Sequence, residues 1–402
     1  MAALDGLRVL DMTQYEAGTS CTQYLAWLGA EVVKIEGPTG DPGRYTGRGN
    51  GLHPADPQYF MNYNGNKQSV VLDLKSERGR EILLEMVPHF DVFVENYGPG
   101  VIESLRLTPE VLCERNPRLI YTRVKGFGLS GPYKDYKVYD WVAQAAAGTF
   151  SATGEPGGPP QIVGPTIADS GTGIQAALGV LAAYIECQRT GQGQVIEVSM
   201  QEATSMFMRT LDLDGWGVRP AQRHGNRRGR TGGGLYRCRG EGPNDWVFIF
   251  PATTRMWDAL MTAIERFDLL EDPRFATPAE RMKHGDELRE AIEAWTIEHD
   301  KREVMETLAG AGVPCSYVFD SMDLFIDPHL KERDFILTVD HPENGPVQLM
   351  RHPLRMRGAV AQGRSPLLGE HTRNVLSSVL GMDDAALEDL EQEGVTAPRL
   401  AT

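Results

Sequence analysis

No window of this 402-residue chain holds about 18 consecutive apolar residues, so no membrane-spanning helix is expected. The opening run Met1-Ala2-Ala3-Leu4-Asp5-Gly6-Leu7 lacks a basic region followed by an apolar stretch; it is unlike a secretory leader, and a cytoplasmic protein is the expectation. Cysteine is scarce. Cys21, Cys113, Cys187, Cys238 and Cys315 are odd in number, widely spaced and form no C-x-x-C, which signals neither a disulfide framework nor a zinc site. The nine histidines never take H-E-x-x-H spacing, and no metal is expected. Positive charge is in deficit: the formal net charge of −15 argues against a general affinity for nucleic acid or an anionic membrane. A Ser-His or Cys-His nucleophile motif, an internal repeat and a low-complexity tract are all missing as well.

What is present is ordinary globular composition, 41% hydrophobic and 24% charged, at a length sufficient for two domains. Leu7 to Met12 reads as a buried strand, Ser20 to Leu28 as a helix stopped at Gly29, and Glu31 to Glu36 as the next strand. The alternation continues with strand Ser69 to Leu74, helix Ser76 to Met86, strand Asp91 to Glu95, helix Pro109 to Arg115 and strand Leu119 to Val124. Repeated βαβ units predict a parallel sheet covered by helices, with ligands beyond the carboxyl ends of the strands. Those ends carry Thr13 to Gly18, Asn96 to Gly100 and Lys125 to Gly128. Glu36 stands about where a dinucleotide fold keeps its ribose-binding acid. The turn before the first helix has only Gly18 and not G-x-G-x-x-G, however, so a nicotinamide or flavin site is disfavoured.

After strand Gln194 to Ser199 and a helix from Gln201 to about Leu211, the composition turns basic over Arg219 to Arg230, a solvated linker or a local attraction for an anionic ligand. Gly232-Gly233-Gly234 follows, then strands near Leu235 to Arg239 and Trp246 to Phe250. Helices over about Thr254 to Phe267, Pro278 to Glu298 and Arg302 to Ala311 complete a smaller α+β unit. Helix Thr372 to Leu380 then returns to the first layer.

The most informative segment is Ala168-Asp169-Ser170-Gly171-Thr172-Gly173, a small-residue turn leading straight into the apolar stretch Ile174 to Cys187. That stretch is apolar nearly all round and is expected to be a helix buried among other elements. Asp169 falls at or near its N-cap, where free N–H groups and the helix dipole favour a carboxylate. Asp, Ser and Thr are common caps. The surrounding glycines point beyond a cap, to clearance for a ligand close to the backbone. A carboxylate of reference pKa about 3.9, raised roughly two units by burial, stays mostly ionised at pH 7 and can act as a nucleophile without a partner base.

Taken in order, these segments resemble the family III CoA-transferases, the group that includes formyl-CoA:oxalate CoA-transferase, carnitine CoA-transferase and the α-methylacyl-CoA racemases. The likeness covers nearly the whole chain: Leu28 to Glu36, Asn66-Lys67-Gln68-Ser69, Val94 to Gly100, Lys137-Val138-Tyr139-Asp140, the Asp169 segment, Gly191 to Gln194 and Pro366 to Thr372. It implies an α/β fold with a large Rossmann-like domain and a smaller α+β domain, in an interlocked homodimer. The corresponding boundaries are 1–215 for the first part of the large domain, 216–231 and 324–345 for linkers, 232–323 for the small domain, and 346–402 for the return.

The resemblance also implies a chemistry. Asp169 matches the family's nucleophile, forming an aspartyl anhydride and then an aspartyl-CoA thioester as CoA passes from an acyl-CoA donor to a carboxylic acid acceptor. Backbone N–H groups near Ser170 to Gly173 would be among the oxyanion donors. Gly232, Gly233 and Gly234 match a glycine-rich loop that moves over the site, although the run also reads as plain flexible loop. Coenzyme A is implied as substrate rather than as a resident cofactor, against Gln14, Ala17, Leu72, Lys75, Asn96, Tyr97, Lys125, Lys137 and Met200. Arg48, Tyr59 and Tyr139 would line the acyl pocket.

Departures set limits. Gln14 stands where relatives often have His, Gly37 and Ser104 where they have Arg, and Arg48 near a position that holds Trp for oxalate. Oxalate as acceptor is therefore doubtful, and Arg48 favours another dicarboxylic acceptor as a hypothesis. The racemase branch uses a His-Asp pair where this chain has Tyr139-Asp140, and a Tyr is a poor base at pH 7. A non-catalytic acyl-CoA-binding subunit is the remaining alternative.

Overall fold

The computed structural model describes residues 1–47, 56–227 and 232–396, and the chain divides into two units. The first comprises Met1–Phe150, Ile162–Trp216 and the chain from Arg333 onward; the second comprises Ser151–Gln161 and Gly217–Glu332. Relative to the expected boundaries, the second unit also takes in 151–161, and the return begins earlier than 346.

The first unit is built on a parallel sheet whose strands, in chain order, are β1 (Arg8–Met12), β2 (Glu31–Glu36), β3 (Gln68–Val71), β4 (Val92–Glu95), β5 (Ile120–Lys125) and β6 (Val195–Ser199). Among the described residues the order across the sheet is β3-β2-β1-β4-β5-β6, every pair parallel. β1 pairs with both β2 and β4, so the order reverses around it, and the crevice at that switch point opens past Met12 and Glu95. The helices that bear on the site are α1 (Ala17–Trp27), α2 (Gln58–Tyr63), α3 (Glu77–Met86), α4 (Val101–Leu105), α5 (Pro109–Arg115), α6 (Asp140–Ala147), α7 (Ile167–Thr190) and α8 (Met200–Ser205). One apolar layer, with Ile82, Leu83, Phe93, Tyr121 and Leu376, covers one face of the sheet; another, with Leu25, Val92, Ile120, Ala176 and Val180, covers the other.

The 24-residue α7 corrects the reading of its own start. Thr166 is the N-cap and the helix begins at Ile167, so Ala168 to Gly173 is not a turn but the first two turns of helix, and Asp169 is its third residue. The small residues are explained by packing. A Cβ on Gly173 would stand 2.5 Å from Ser20 Cβ and 2.8 Å from the Ala17 carbonyl oxygen of α1, and one on Gly171 would stand 2.7 Å from the Phe207 ring. The close approach of α1 explains Gly173 and the Phe207 ring explains Gly171, without a need for ligand clearance. Nor is the helix buried all round: Ile174, Leu178 and Ile185 are 50%, 66% and 60% exposed.

The C-terminal part of the first unit holds an antiparallel hairpin, Ile336–His341 with Gly345–Met350, so the stretch expected as a linker over 324–345 is in part a strand. Helix Thr372–Leu380 lies where the sequence predicts it. In the second unit Gly234–Arg237, Trp246–Ile249 and Cys315–Tyr317 form a small antiparallel sheet, with helices Thr254–Ala263, Gly285–Thr296 and Lys301–Gly310 around a core of Tyr236, Trp257, Leu260 and Phe275. The basic stretch joins this unit: Arg223 donates to the Gly158 carbonyl at 2.7 Å and Arg227 pairs with Asp286.

Candidate active site

The loop from β1 to α1 is pinned at every residue. The buried Lys34 ammonium donates to the Thr13 carbonyl at 2.8 Å and pairs with Asp41, also at 2.8 Å. Asn96, just past β4, accepts from the Gln14 N–H and donates to the Gln14 carbonyl, each at 2.8 Å. Tyr15 sits in the left-handed region, φ +57°, and its N–H donates to Asp41 Oδ1 at 3.1 Å. A non-glycine residue held there costs energy that the surrounding hydrogen bonds and ion pairs offset. The result is a fixed direction for Glu16, which is only 2% exposed.

Glu16 Oε1 accepts from the hydroxyls of Thr166 and Ser170, both at 2.7 Å, and Tyr63 donates to the same carboxylate. Burial raises its pKa, and those three hydroxyls oppose the rise. From the other side, Asp140 Oδ2 accepts from the N–H groups of Ala168 (2.9 Å) and Asp169 (3.0 Å), so a side chain at the start of α6 satisfies two of the free donors of α7. Ser170 N–H donates to the Thr166 carbonyl, and Gly171 to Gly173 lie inside the helix. The oxyanion donors expected at 170–173 are therefore engaged in the helix itself.

Asp169 lies between these two acids with no hydrogen bond to its own carboxyl among the described residues. Burial, then the charges of Glu16 and Asp140, push its pKa up to about 8. The rise exceeds the roughly two units expected from the sequence: burial and two like charges outweigh the helix dipole.

Asp169 faces a cavity of about 340 Å³ at the switch point. Of the predicted residues, Gln14, Ala17, Asn96, Tyr97, Lys125, Lys137, Tyr139 and Met200 line it with Asp169. Leu72 does not; it is wholly buried in the core, because the strand residue beyond β3 points its side chain into the apolar layer. Lys75 and Tyr59 are outside the lining, although Tyr59 is close enough to feel the charges of Glu16 and Asp169, which with burial raise its pKa. Arg48 lies outside the described residues. Lys125 is engaged, donating to Glu95 at 2.8 Å and to the Tyr97 carbonyl at 2.7 Å, and burial still holds its ammonium below the usual range. In the second unit Gly234 is not in a loop: it opens a strand, paired with Ile249, while the Gly232 carbonyl accepts from the Tyr236 hydroxyl.

Tyr15, Glu16, Lys134 and Tyr136 also line the cavity and were not singled out from the sequence. The loop Thr13 to Gly18 was legible as a ligand-side loop, but nothing local distinguishes Glu16 from an ordinary acid at a helix start. Glu36 is structural, bonded through both oxygens to Arg44 at 2.8 Å and to Ser69 at 2.7 Å; burial alone would raise its pKa, but Arg44 holds it down at about 2.

The model of CoA-transferase family III matches residues 4–372. The chain belongs to that family. Curated relatives include formyl-CoA:oxalate CoA-transferases of Streptomyces avermitilis, 40% identical over 98% of this chain and 99% of the relative, and of Rhodopseudomonas palustris strain HaA2, 36% identical over 98% of each. Among solved structures, a CaiB/BaiF family protein from Brucella suis superposes with a TM-score of 0.82 at 29% identity, covering 94% of this chain and 99% of that one. The protein is accordingly a CoA-transferase. Among the described residues no group of side chains suits a metal ion, and no helix is long and apolar enough to cross a membrane.

Proposed function

We propose that Asp169 is the nucleophile that carries the acyl group and then CoA. The observation behind this reading is a carboxyl that faces the cavity, bound by no other side chain among the described residues, on a helix end fixed by Asp140. A thioester donor binds, Asp169 releases its proton to solvent, and its carboxylate attacks the acyl carbon. The C–S bond breaks, leaving a mixed anhydride and CoA thiolate. The thiolate attacks the aspartyl carbonyl, releasing the donor carboxylate and leaving an aspartyl-CoA thioester. The acceptor carboxylate repeats the two steps in reverse and regenerates Asp169. Water must be kept away, since it would hydrolyse either intermediate.

In this reading Lys137 and Lys134 at the cavity meet the phosphates of CoA, Gln14, Ala17, Asn96, Tyr97 and Met200 line its path, and Tyr139 flanks the acyl group. The exposed apolar line Ile174, Leu178 and Ile185 supports a homodimer, interlocked as the resemblance implies, in the cytoplasm.

Hydroxylamine supplied with an acyl-CoA donor tests the mechanism. The expected result is donor-dependent inactivation with hydroxamate at Asp169, and loss of transfer by about 10³-fold or more in Asp169→Ala. Undiminished transfer in that variant refutes the mechanism. A racemase or a binding subunit would show no trapping.

A further inference from the structure

The cavity around Asp169 is lined by two acids, Glu16 and Asp169, and by Lys125, Lys134 and Lys137. Glu16 and Asp169 line the same space, and Glu16 cannot swing away, because the hydroxyls that hold it come from Thr166 and Ser170, on either side of Asp169 in the chain. The charges of Glu16 and Asp140, both negative, raise the pKa of Asp169. Lys125 is paired with Glu95, and Lys134 and Lys137 are exposed to solvent. Tyr15 and Tyr139, also in the lining, pack edge to face at 5.9 Å.

Building on the transferase reading, we propose that Glu16 determines acceptor specificity: it rejects acids with a second carboxylate and restricts acceptors to monocarboxylates with an uncharged remainder. An attacking carboxylate loses its charge into the anhydride as CoA thiolate leaves. A second carboxylate keeps its full charge beside a buried like charge, where repulsion is weakly screened. The discrimination is built by repulsion, so it is removable by deleting one charge.

Acceptors of matched shape isolate that charge: oxamate against oxalate, and succinamate against succinate, with acetyl-CoA, propionyl-CoA and formyl-CoA as donors at pH 8. In the wild-type protein the amide acids are expected to exceed their diacids in kcat/KM by at least about tenfold. Glu16→Gln should shrink that ratio to about threefold or less. Because the ratio compares two acceptors on one variant at one pH, changes in the ionisation of Asp169 cancel. Should Glu16→Gln not fold, competitive inhibition of the wild-type protein by succinate against succinamate gives the same comparison. A preference for the diacids, whether or not Arg48→Ala abolishes it, or a ratio unmoved by Glu16→Gln, overturns the proposal. If hydroxylamine still traps Asp169 in that case, only the specificity is wrong; if no acceptor receives CoA and nothing is trapped, the transferase mechanism fails with it.

Discussion

At the scale of single residues, the candidate site is an acid held against its own tendency to ionise. Asp169 is faced by Glu16 from the β1–α1 loop, Asp140 from α6, Tyr59 and Tyr63 from α2, and Tyr139 before α6. With a pKa near 8, the donor half-reaction measured in single turnover should rise with pH through a limb near 8. Glu16→Gln removes one of the two like charges and should move that limb toward lower pH; an unmoved limb would show that Glu16 does not act on Asp169. The same shift bears on stability. The folded protein keeps the Asp169 proton over a range, from about pH 4 to about 8, where the unfolded chain has released it, so this group's contribution favours folding at low pH and loses that advantage as pH rises through the folded value. Asp169→Asn, which cannot ionise, should therefore gain in melting temperature over the wild-type protein between pH 5 and pH 9, by on the order of 2–4 °C. Thermal unfolding at the two pH values reads this directly, and an equal difference at both removes the strain argument. Asp169 stood out as a candidate from the small residues around it and from the resemblance; Glu16 did not, because its meaning comes from Ser170, 154 residues away in sequence.

At the scale of elements, the alternation of apolar runs with amphipathic ones located the strands of the parallel sheet to within a few residues: Glu31–Glu36 coincides with the sequence reading, and β5 is displaced by one. Period and burial act locally there, so local sequence suffices. The start of α7 was misread for the opposite reason. Gly, Ser and Thr prefer turns and caps on their own, and only the face of α1 makes them the residues that a tight helix crossing needs. Gly173→Ala tests this. An exposed helical Gly→Ala change gains about 1 kcal/mol, whereas here the new Cβ would meet Ser20 and the Ala17 carbonyl, and a net loss of roughly 1–3 kcal/mol in chemical denaturation is expected. A neutral or stabilised variant would mean that the two helices part easily. The Ile336–His341 and Gly345–Met350 hairpin escaped the sequence reading because neither strand alternates cleanly between apolar and polar residues.

At the scale of the whole molecule, α7 joins the site to a surface. Asp169 opens the helix, and further along it Ile174, Leu178 and Ile185 are bare. If a second copy covers that line, Leu178→Glu should lower the yield and the melting temperature of the folded dimer, while wild-type protein that sediments as a monomer at micromolar concentration would leave the line without that occupant. By itself the sequence determined the layered α/β architecture and the family, and it singled out Asp169 as the candidate nucleophile, because residue period and motif order are written along the chain. Only the tertiary structure decided the charge state of Asp169, the engagement of Lys125 with Glu95 and the place of Glu16 at the cavity, because burial and pairing between groups far apart in sequence set the local field, and that field exists only once the chain has folded.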